Sequence, residues 1–230
     1  SGSKVRVFSL EMSKDQLVDR MLAAHAHVDL WRLRTGKLST GGGDDDFIRL
    51  GDAISELSQA TLYIDDNPSA NIMGMRTMAR RLQSEHGLDL LIIDYLQLME
   101  SRRYTDNRVQ EVSAISRGLK KLAIELQVPV MALSQLSRAV EMRTDQRPKL
   151  SDLRESGSIE QDADVVMFLH RQPWEGEERP EVMEVDLLIE KHRNGPTGEI
   201  PLQFNTQCVS YTEMELIHME EPGQAVPVQA

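Results

Sequence analysis

The sequence predicts an α/β fold with a mostly parallel central sheet, flanking helices and antiparallel strands at the carboxyl-terminal end. Three observations carry this. Short apolar runs alternate with longer stretches of helical periodicity through the first two thirds of the chain. One run, Leu90, Leu91, Ile92 and Ile93, is apolar at every position, as a strand buried on both faces is, and ends on Asp94. Beyond Pro148, three strand-like runs follow one another with no room for helices between them.

Residues 5–10 (VRVFSL) read as the first strand, and Ser13 with Gln16 forms a capping box that opens a helix toward His25. A second helical stretch covers residues 29–34. Gly41 to Gly43 with Asp44 to Asp46 read as a flexible acidic loop before another helix. Residues 62–64 make a short strand closed by Asp65 and Asp66. Ile72, Met75, Met78, Ala79 and Leu82 recur at three- and four-residue spacing, and Gly87 stands where that crossover helix should stop. After the Asp94 strand, Val109, Val112, Ile115, Leu119, Leu122 and Leu126 mark a long helix leading into a strand over residues 128–133. Residues 165–169, 182–189 and 200–204 are then the antiparallel strands of one mixed sheet. The sequence is therefore divided into a domain over residues 1–211 and an acidic tail over 212–230, which is expected to be disordered because Pro222, Gly223 and Pro227 appear without periodicity.

Composition narrows the function classes. With 26 basic and 37 acidic side chains the net charge is −11, the wrong sign for a protein that coats nucleic acid with its whole surface, though a narrow basic loop remains compatible. The single Cys208 rules out an internal disulfide and fits a reducing cytosol, so the expected location is cytoplasmic. No apolar stretch reaches the roughly 18 residues of a spanning helix, and no membrane partner is expected. His25 and His27 do not share a helix face and no cysteine pair exists, which argues against a zinc site.

The candidate chemistry collects at strand ends. Asp94, at the carboxyl end of a buried strand, is placed as nucleotide-binding sheets place the acid that meets magnesium; the same residue also serves simply to start a turn. Glu11 follows the first strand and would face the same crevice if both strands are parallel, polarising a water while Asp94 serves the metal; otherwise it is a favourable charge near a helix N-terminus. Gln135 ends the strand over 128–133 and can contact a γ-phosphate or its water, or be a turn residue. Asp65 and Asp66 are a rival pair that Asn67 and Pro68 explain as turn residues. In 152–161 (DLRESGSIEQ), Arg154 can pair with a phosphate, Gly157 lets amides approach it, and Ser158 with Gln161 could cap a short helix; by composition alone the segment reads first as a connector. Lys191 and Arg193 lie at alternate positions, on one face, and can stabilise charge on a transferred phosphoryl group or be solvated strand-end cations.

Five segments, SLEM at 9–12, LLIIDYLQLM at 90–99, ALSQLSR at 132–138, DLRESGSIEQDAD at 152–164 and KHRNGPTG at 191–198, resemble the bacterial replicative helicase family DnaB, in the family's order across residues 5–211. The resemblance implies a RecA-like P-loop NTPase core that forms a homo-hexameric ring on single-stranded DNA and moves by hydrolysing ATP with Mg2+ in DNA replication. It implies Glu11 as catalytic base, Asp94 as the magnesium-associated acid and Gln135 as phosphate sensor. It further implies Arg154, Glu155 and Gly157 at the DNA channel, and Lys191 and Arg193 as cations reaching a neighbouring subunit's nucleotide. Primase and a helicase loader are implied partners through other parts of such a protein. The departure is the Walker A loop, G-x-x-x-x-G-K-[ST], which does not occur in these 230 residues. The sequence therefore reads as an N-terminally truncated ATPase domain, expected to hydrolyse ATP negligibly by itself. The alternatives are a non-catalytic DNA-binding and oligomerisation module of the same fold, or another RecA-like ATPase.

Overall fold

Four strands run parallel in the order β2-β1-β3-β4: β1 (Lys4–Ser9) lies between β2 (Thr61–Asp65) and β3 (Leu90–Asp94), and β4 (Val130–Ala132) pairs the far side of β3. This computed structural model describes residues 2–41, 45–67, 71–99, 108–143, 145–171, 174 and 180–214, and of 154–157 the backbone alone. Parallel neighbours cannot be joined by a tight turn, so helices make the crossovers. These are α1 (Lys14–Ala26), α2 (Leu30–Thr35) and α3 (Asp46–Leu57) from β1 to β2, α4 (Ile72–Glu85) from β2 to β3, and α5 (Arg108–Leu126) from β3 to β4. All four strands consequently end on one edge of the sheet.

Most periodic residues of α4 and α5 do what their spacing predicts, with Ile72 and Met78 only partly buried, and Val109, expected to begin the α5 stripe, is exposed in the first turn of that helix. Met75, Ala79 and Leu82 of α4 and Val112, Ile115, Leu119 and Leu122 of α5 are buried with Phe8, Leu91 and Ile93 in one core. Each large side chain there contributes about 1.5–3 kcal/mol by leaving water. Asn71 caps α4 by accepting from the Gly74 amide at 3.0 Å. The helix stops where expected: Gly87 turns at φ +85°, and a Cβ there would lie 2.8 Å from Lys4 Nζ. A smaller apolar cluster, Ala26, Val28, Leu50 and Ala53, joins α1 to α3.

The carboxyl-terminal strands β5 (Val165–His170), β6 (Val182–His192), β7 (Gly198–Asn205) and β8 (Ser210–Glu213) form an antiparallel sheet in sequence order. Val166, Phe168 and Leu188 bury into the same core as the parallel strands. The α/β class, the parallel centre and the antiparallel end are those the sequence predicts, but the strands divide into two four-stranded sheets among the described residues instead of one mixed sheet. The edge strand β4 is short for a local reason. Gln127 takes φ +52° and the Val128 amide donates to Ala123 O at 3.3 Å, so residues 127 and 128 close α5 instead of opening the expected strand.

Three further expectations are corrected. Asp46 is not part of an acidic loop: Asp45 caps α3, and Asp46 lies inside it, wholly buried, between Arg32 and Arg49 at 2.6 Å each. Residues 42–44 lie outside the described ones. Thr212 and Glu213 belong to β8, paired with Gln203 and Leu202, so the domain runs past residue 211. The expected disorder of the tail concerns residues 215–230, outside the described ones. Ser158 does not cap a helix, because α6 (Gly157–Asp162) has already begun; its hydroxyl bonds that of Ser113 on α5.

Candidate functional site

Parallel pairing puts Ser9 opposite Asp94, and the next amide, Leu10 N–H, donates to Asp94 O at 2.7 Å. Glu11 is therefore one residue beyond the last rung, beside the end of β3. Ser9 is buried and its hydroxyl donates to Met12 O at 2.7 Å, which fixes the turn that carries Glu11. Two acids expected to share one crevice do share one edge.

Their electrostatics follow. Burial raises the half-buried Asp94 carboxyl above the usual range, the Glu11 charge raises it further, and Arg20 on α1 works in the opposite direction. Neither carboxylate receives a hydrogen bond or an ion pair from another described residue. Unpaired carboxylates with like charges nearby fit a hard cation. Among the described residues no group of three or more His, Cys, Asp and Glu surrounds a metal position. The donor set therefore fits magnesium, which keeps water and phosphate oxygens in its shell, better than an all-protein calcium or zinc cage.

Gln135 reaches the same edge through β4. Leu133 N–H donates to Ile93 O at 2.9 Å and Leu96 N–H to Leu133 O at 3.0 Å, extending the β3–β4 pairing beyond its last rung. The Gln97 side chain continues it: its amide nitrogen donates to Ser134 Oγ at 2.9 Å and Gln135 O at 3.3 Å, and its oxygen accepts from Gln135 N–H at 3.2 Å. Gln97 thereby grips the Gln135 backbone and leaves that side chain exposed, with no partner among the described residues. Sequence reasoning missed Gln97 and Arg20; no local signal marks either, since both act on residues distant in the chain. The rival pair is occupied elsewhere. Asp65 pairs with Arg6 at 3.1 Å, and Asp66 accepts from the Lys14 amide at 3.0 Å, anchoring the start of α1.

Arg154 and Glu155 lie on a 3-10 segment, Leu150–Ser156, and Gly157 opens α6; their side chains are outside the description. The backbone around them is anchored by buried Leu153 and Ile159 and by Asp152. The Asp152 carboxylate takes Lys149 N–H at 2.7 Å and Arg143 Nη2 at 2.5 Å, and its carbonyl takes Ser137 N–H at 3.1 Å. Lys191, near the end of β6, and Arg193, in the turn just past it, both reach the carboxyl end of α6. Lys191 Nζ donates to the carbonyls of Glu160, Gln161 and Ala163, and Arg193 Nη1 pairs with Asp164 at 3.0 Å. No hydrogen bond or ion pair joins either cation to Glu11, Asp94 or Gln135 among the described residues.

Residues 1–213 match the family model described as the DnaB-like helicase C terminal domain. The replicative DNA helicase DnaB of Geobacillus stearothermophilus is 49% identical over 216 residues, which cover 94% of this chain and 47% of that protein. The replicative DNA helicase DnaC of Bacillus subtilis (strain 168) gives the same figures. This chain thus spans about half the length of the curated relatives it matches. Among solved structures, a DnaB-like replicative helicase, described with its interactions with primase, is similar with a TM-score of 0.83 and 36% identity, over 93% of this chain and 52% of that one. A solved structure described as an ATPase domain gives 0.84 and 37% over 93% and 75%. A KaiC-like protein of Pyrococcus horikoshii OT3, 14% identical with a TM-score of 0.57, shares the fold alone. The RecA-like α/β fold, the strand-end acids and a family match over nearly the whole described chain agree, and the chain belongs to the DnaB-like helicase C-terminal domain family.

Proposed function

We propose that this chain supplies the hydrolytic edge and the DNA-facing loops of a ring helicase that couples ATP hydrolysis to movement along single-stranded DNA and duplex unwinding in replication. The observation that carries the proposal is the adjacency of Glu11 and Asp94, two carboxylates on neighbouring strand ends with no partner among the described residues. In this reading Asp94 and the nucleotide phosphates would hold Mg2+, which when bound neutralises charge building on the phosphoryl oxygens. Glu11, exposed and unpartnered among the described residues, accepts a proton from the attacking water. Gln135, its backbone gripped by Gln97, holds that water or the terminal phosphate and feels its loss. Lys191 and Arg193 act on the nucleotide of the neighbouring protomer in a homo-hexamer, where two cations stabilise charge developing on the transferred group. Arg154, Glu155 and Gly157 meet the DNA backbone, and affinity comes from phosphate contacts with little base preference. Contacts with primase and a loader, and a cytoplasmic location, belong to the same reading. Among the described residues no helix is long and apolar enough to cross a membrane.

The test is Glu11→Gln in the assembled ring. Losing a positioned general base lowers kcat by about 10²–10⁴-fold while ATP binding persists. A ring that keeps the wild-type rate rejects the assignment. One sequence observation favours a second reading: no G-x-x-x-x-G-K-[ST] loop occurs in these residues. On that ground the chain taken alone is a non-catalytic DNA-binding and oligomerisation module.

A further inference from the structure

The two cations assigned to a neighbour's nucleotide do not stand free. Lys191 Nζ spends its three donors on Glu160 O, Gln161 O at 3.5 Å and Ala163 O at 2.8 Å, the open carbonyls at the carboxyl end of α6. Arg193 Nη2 donates to Gln161 O at 3.3 Å, and its amide donates to Asp164 O at 2.8 Å. Asp164 completes the cluster: one carboxylate oxygen takes Arg193 Nη1 at 3.0 Å, and the other takes Lys120 Nζ from α5. The Lys120 hydrogen bond first, and then the charges of Lys120, Arg193 and Lys191, keep this carboxyl below the usual range. The other flank of α6 is tied to α5 by Ser116, whose hydroxyl donates to Asp162 Oδ2 at 2.8 Å.

We infer that Asp164 is the positioning residue of Arg193, and that the carbonyls at the end of α6, which take Lys191 and Arg193, join both proposed trans-acting cations to the helix that carries Gly157 at its opposite end. Arg193 has five N–H donors, of which Asp164 and Gln161 occupy two through the guanidinium; the remainder can meet a phosphate while the side chain stays anchored. Lys191 differs. Its three donors are all engaged, so an ammonium that reaches a phosphate must first release the α6 carbonyls. A displacement of the DNA-facing turn at Gly157 therefore reaches both cations through one short helix, six residues long. Removing the Asp164 charge leaves Lys120 and Arg193 facing one another and frees the guanidinium to swing.

The inference rests on the trans-acting reading of Arg193 above. It is tested by a double-mutant cycle in the assembled ring, measuring ATP hydrolysis with and without single-stranded DNA for Asp164→Asn, Arg193→Ala and the double variant. Asp164→Asn is expected to lower DNA-stimulated kcat about 10-fold, with KM for ATP within about 2-fold, because a misplaced cation loses transition-state contact without losing substrate binding. On the Arg193→Ala background the same change has less than about a 2-fold effect, since Asp164 acts only through that guanidinium. Asp164→Glu, which keeps the charge, recovers part of the rate and serves if the Asn variant fails to form rings. Additive losses, or a full rate in Asp164→Asn rings, overturn the positioning role. A full rate in Arg193→Ala overturns both readings and identifies the trans-acting assignment as the one at fault.

Discussion

Asp94 sets folding against its proposed function at the scale of one residue. Its carboxyl is raised first by burial and then by Glu11, with Arg20 offsetting part, so its folded form holds its proton to a higher pH than the unfolded chain does. A carboxyl with a raised folded pKa costs stability above that value and recovers it as pH falls through it, because the native state then binds the extra proton. Replacing Asp94 with Asn removes the charge that is costly at neutral pH. We therefore expect Asp94→Asn to stabilise the nucleotide-free chain at pH 7, by less than about 1 kcal/mol given the group's partial exposure. The gain should shrink as pH drops into the carboxylate range. Denaturant melts of both proteins at neutral and acid pH check this, and a destabilised Asn variant at pH 7 would show that the carboxylate is a structural partner instead of an unpaired acid. Glu11 supplies part of the repulsion, which is why two acids at one strand edge are hard to explain by packing alone.

At the scale of elements, what the sequence revealed was whatever a repeating local pattern encodes. The α4 and α5 stripes were readable because burial of one helix face imposes a period of three to four residues; the apolar β3 run was readable as a strand, although only its alternate residues Leu91 and Ile93 are fully buried and Leu90 and Ile92 are half-buried. The nearness of Glu11, Asp94 and Gln135 was readable because parallel strands bring their carboxyl ends to one edge. The grip of Gln97 on Gln135 was not, since it depends on a contact across 38 positions. The division into two sheets was missed as well, because which strands pair is set by contacts between distant segments and not by a local pattern. Asp46 shows the same limit. Its acidic neighbours suggest a solvated loop, yet it is the buried junction of α2 and α3, reached by Arg32 at 2.6 Å, Arg49 at 2.6 Å and the Ser39 amide at 2.8 Å. Burial alone would raise its carboxyl, but the Ser39 amide and the two guanidinium groups outweigh it and hold it below the usual range. Stability from such a group is complete above the unfolded pKa of about 3.9 and is lost as pH falls through the depressed folded value. Asp46→Asn leaves two cations at a site that lost its charge, and is expected to cost about 2–4 kcal/mol at pH 7. The penalty should diminish as pH falls below about 4 and the unfolded chain's carboxyl takes up its proton, and should fade as the depressed folded value is passed. Equal denaturation midpoints for the two proteins at pH 7 would remove Asp46 from any structural role.

For the whole molecule, charge and the missing glycine loop set the limits. A net charge of −11 is compatible with DNA contact only if cations concentrate on a few loops while the outer surface stays acidic. The same excess of acid works against a free nucleotide. Triphosphate brings several negative charges to an edge where Glu11 and Asp94 already repel one another, and a helicase of this kind overcomes that with amides and a lysine that cradle the phosphates. These residues contain no G-x-x-x-x-G-K-[ST] run, and the dense glycines Gly41 to Gly43 are followed in the sequence by Asp44 and Asp45, whose charges oppose a phosphate. Water activation and metal binding without a phosphate cradle place no reacting atom in line with the acids, and misplacement by 1 Å alone costs about 100-fold in rate. Phosphate release by the 230-residue chain, with ATP and Mg2+ present, is therefore expected to match that of its Glu11→Ala variant. A rate well above this control would mean that the chain assembles a phosphate site from residues other than a glycine loop, and the hydrolytic edge would then have to be redrawn around them.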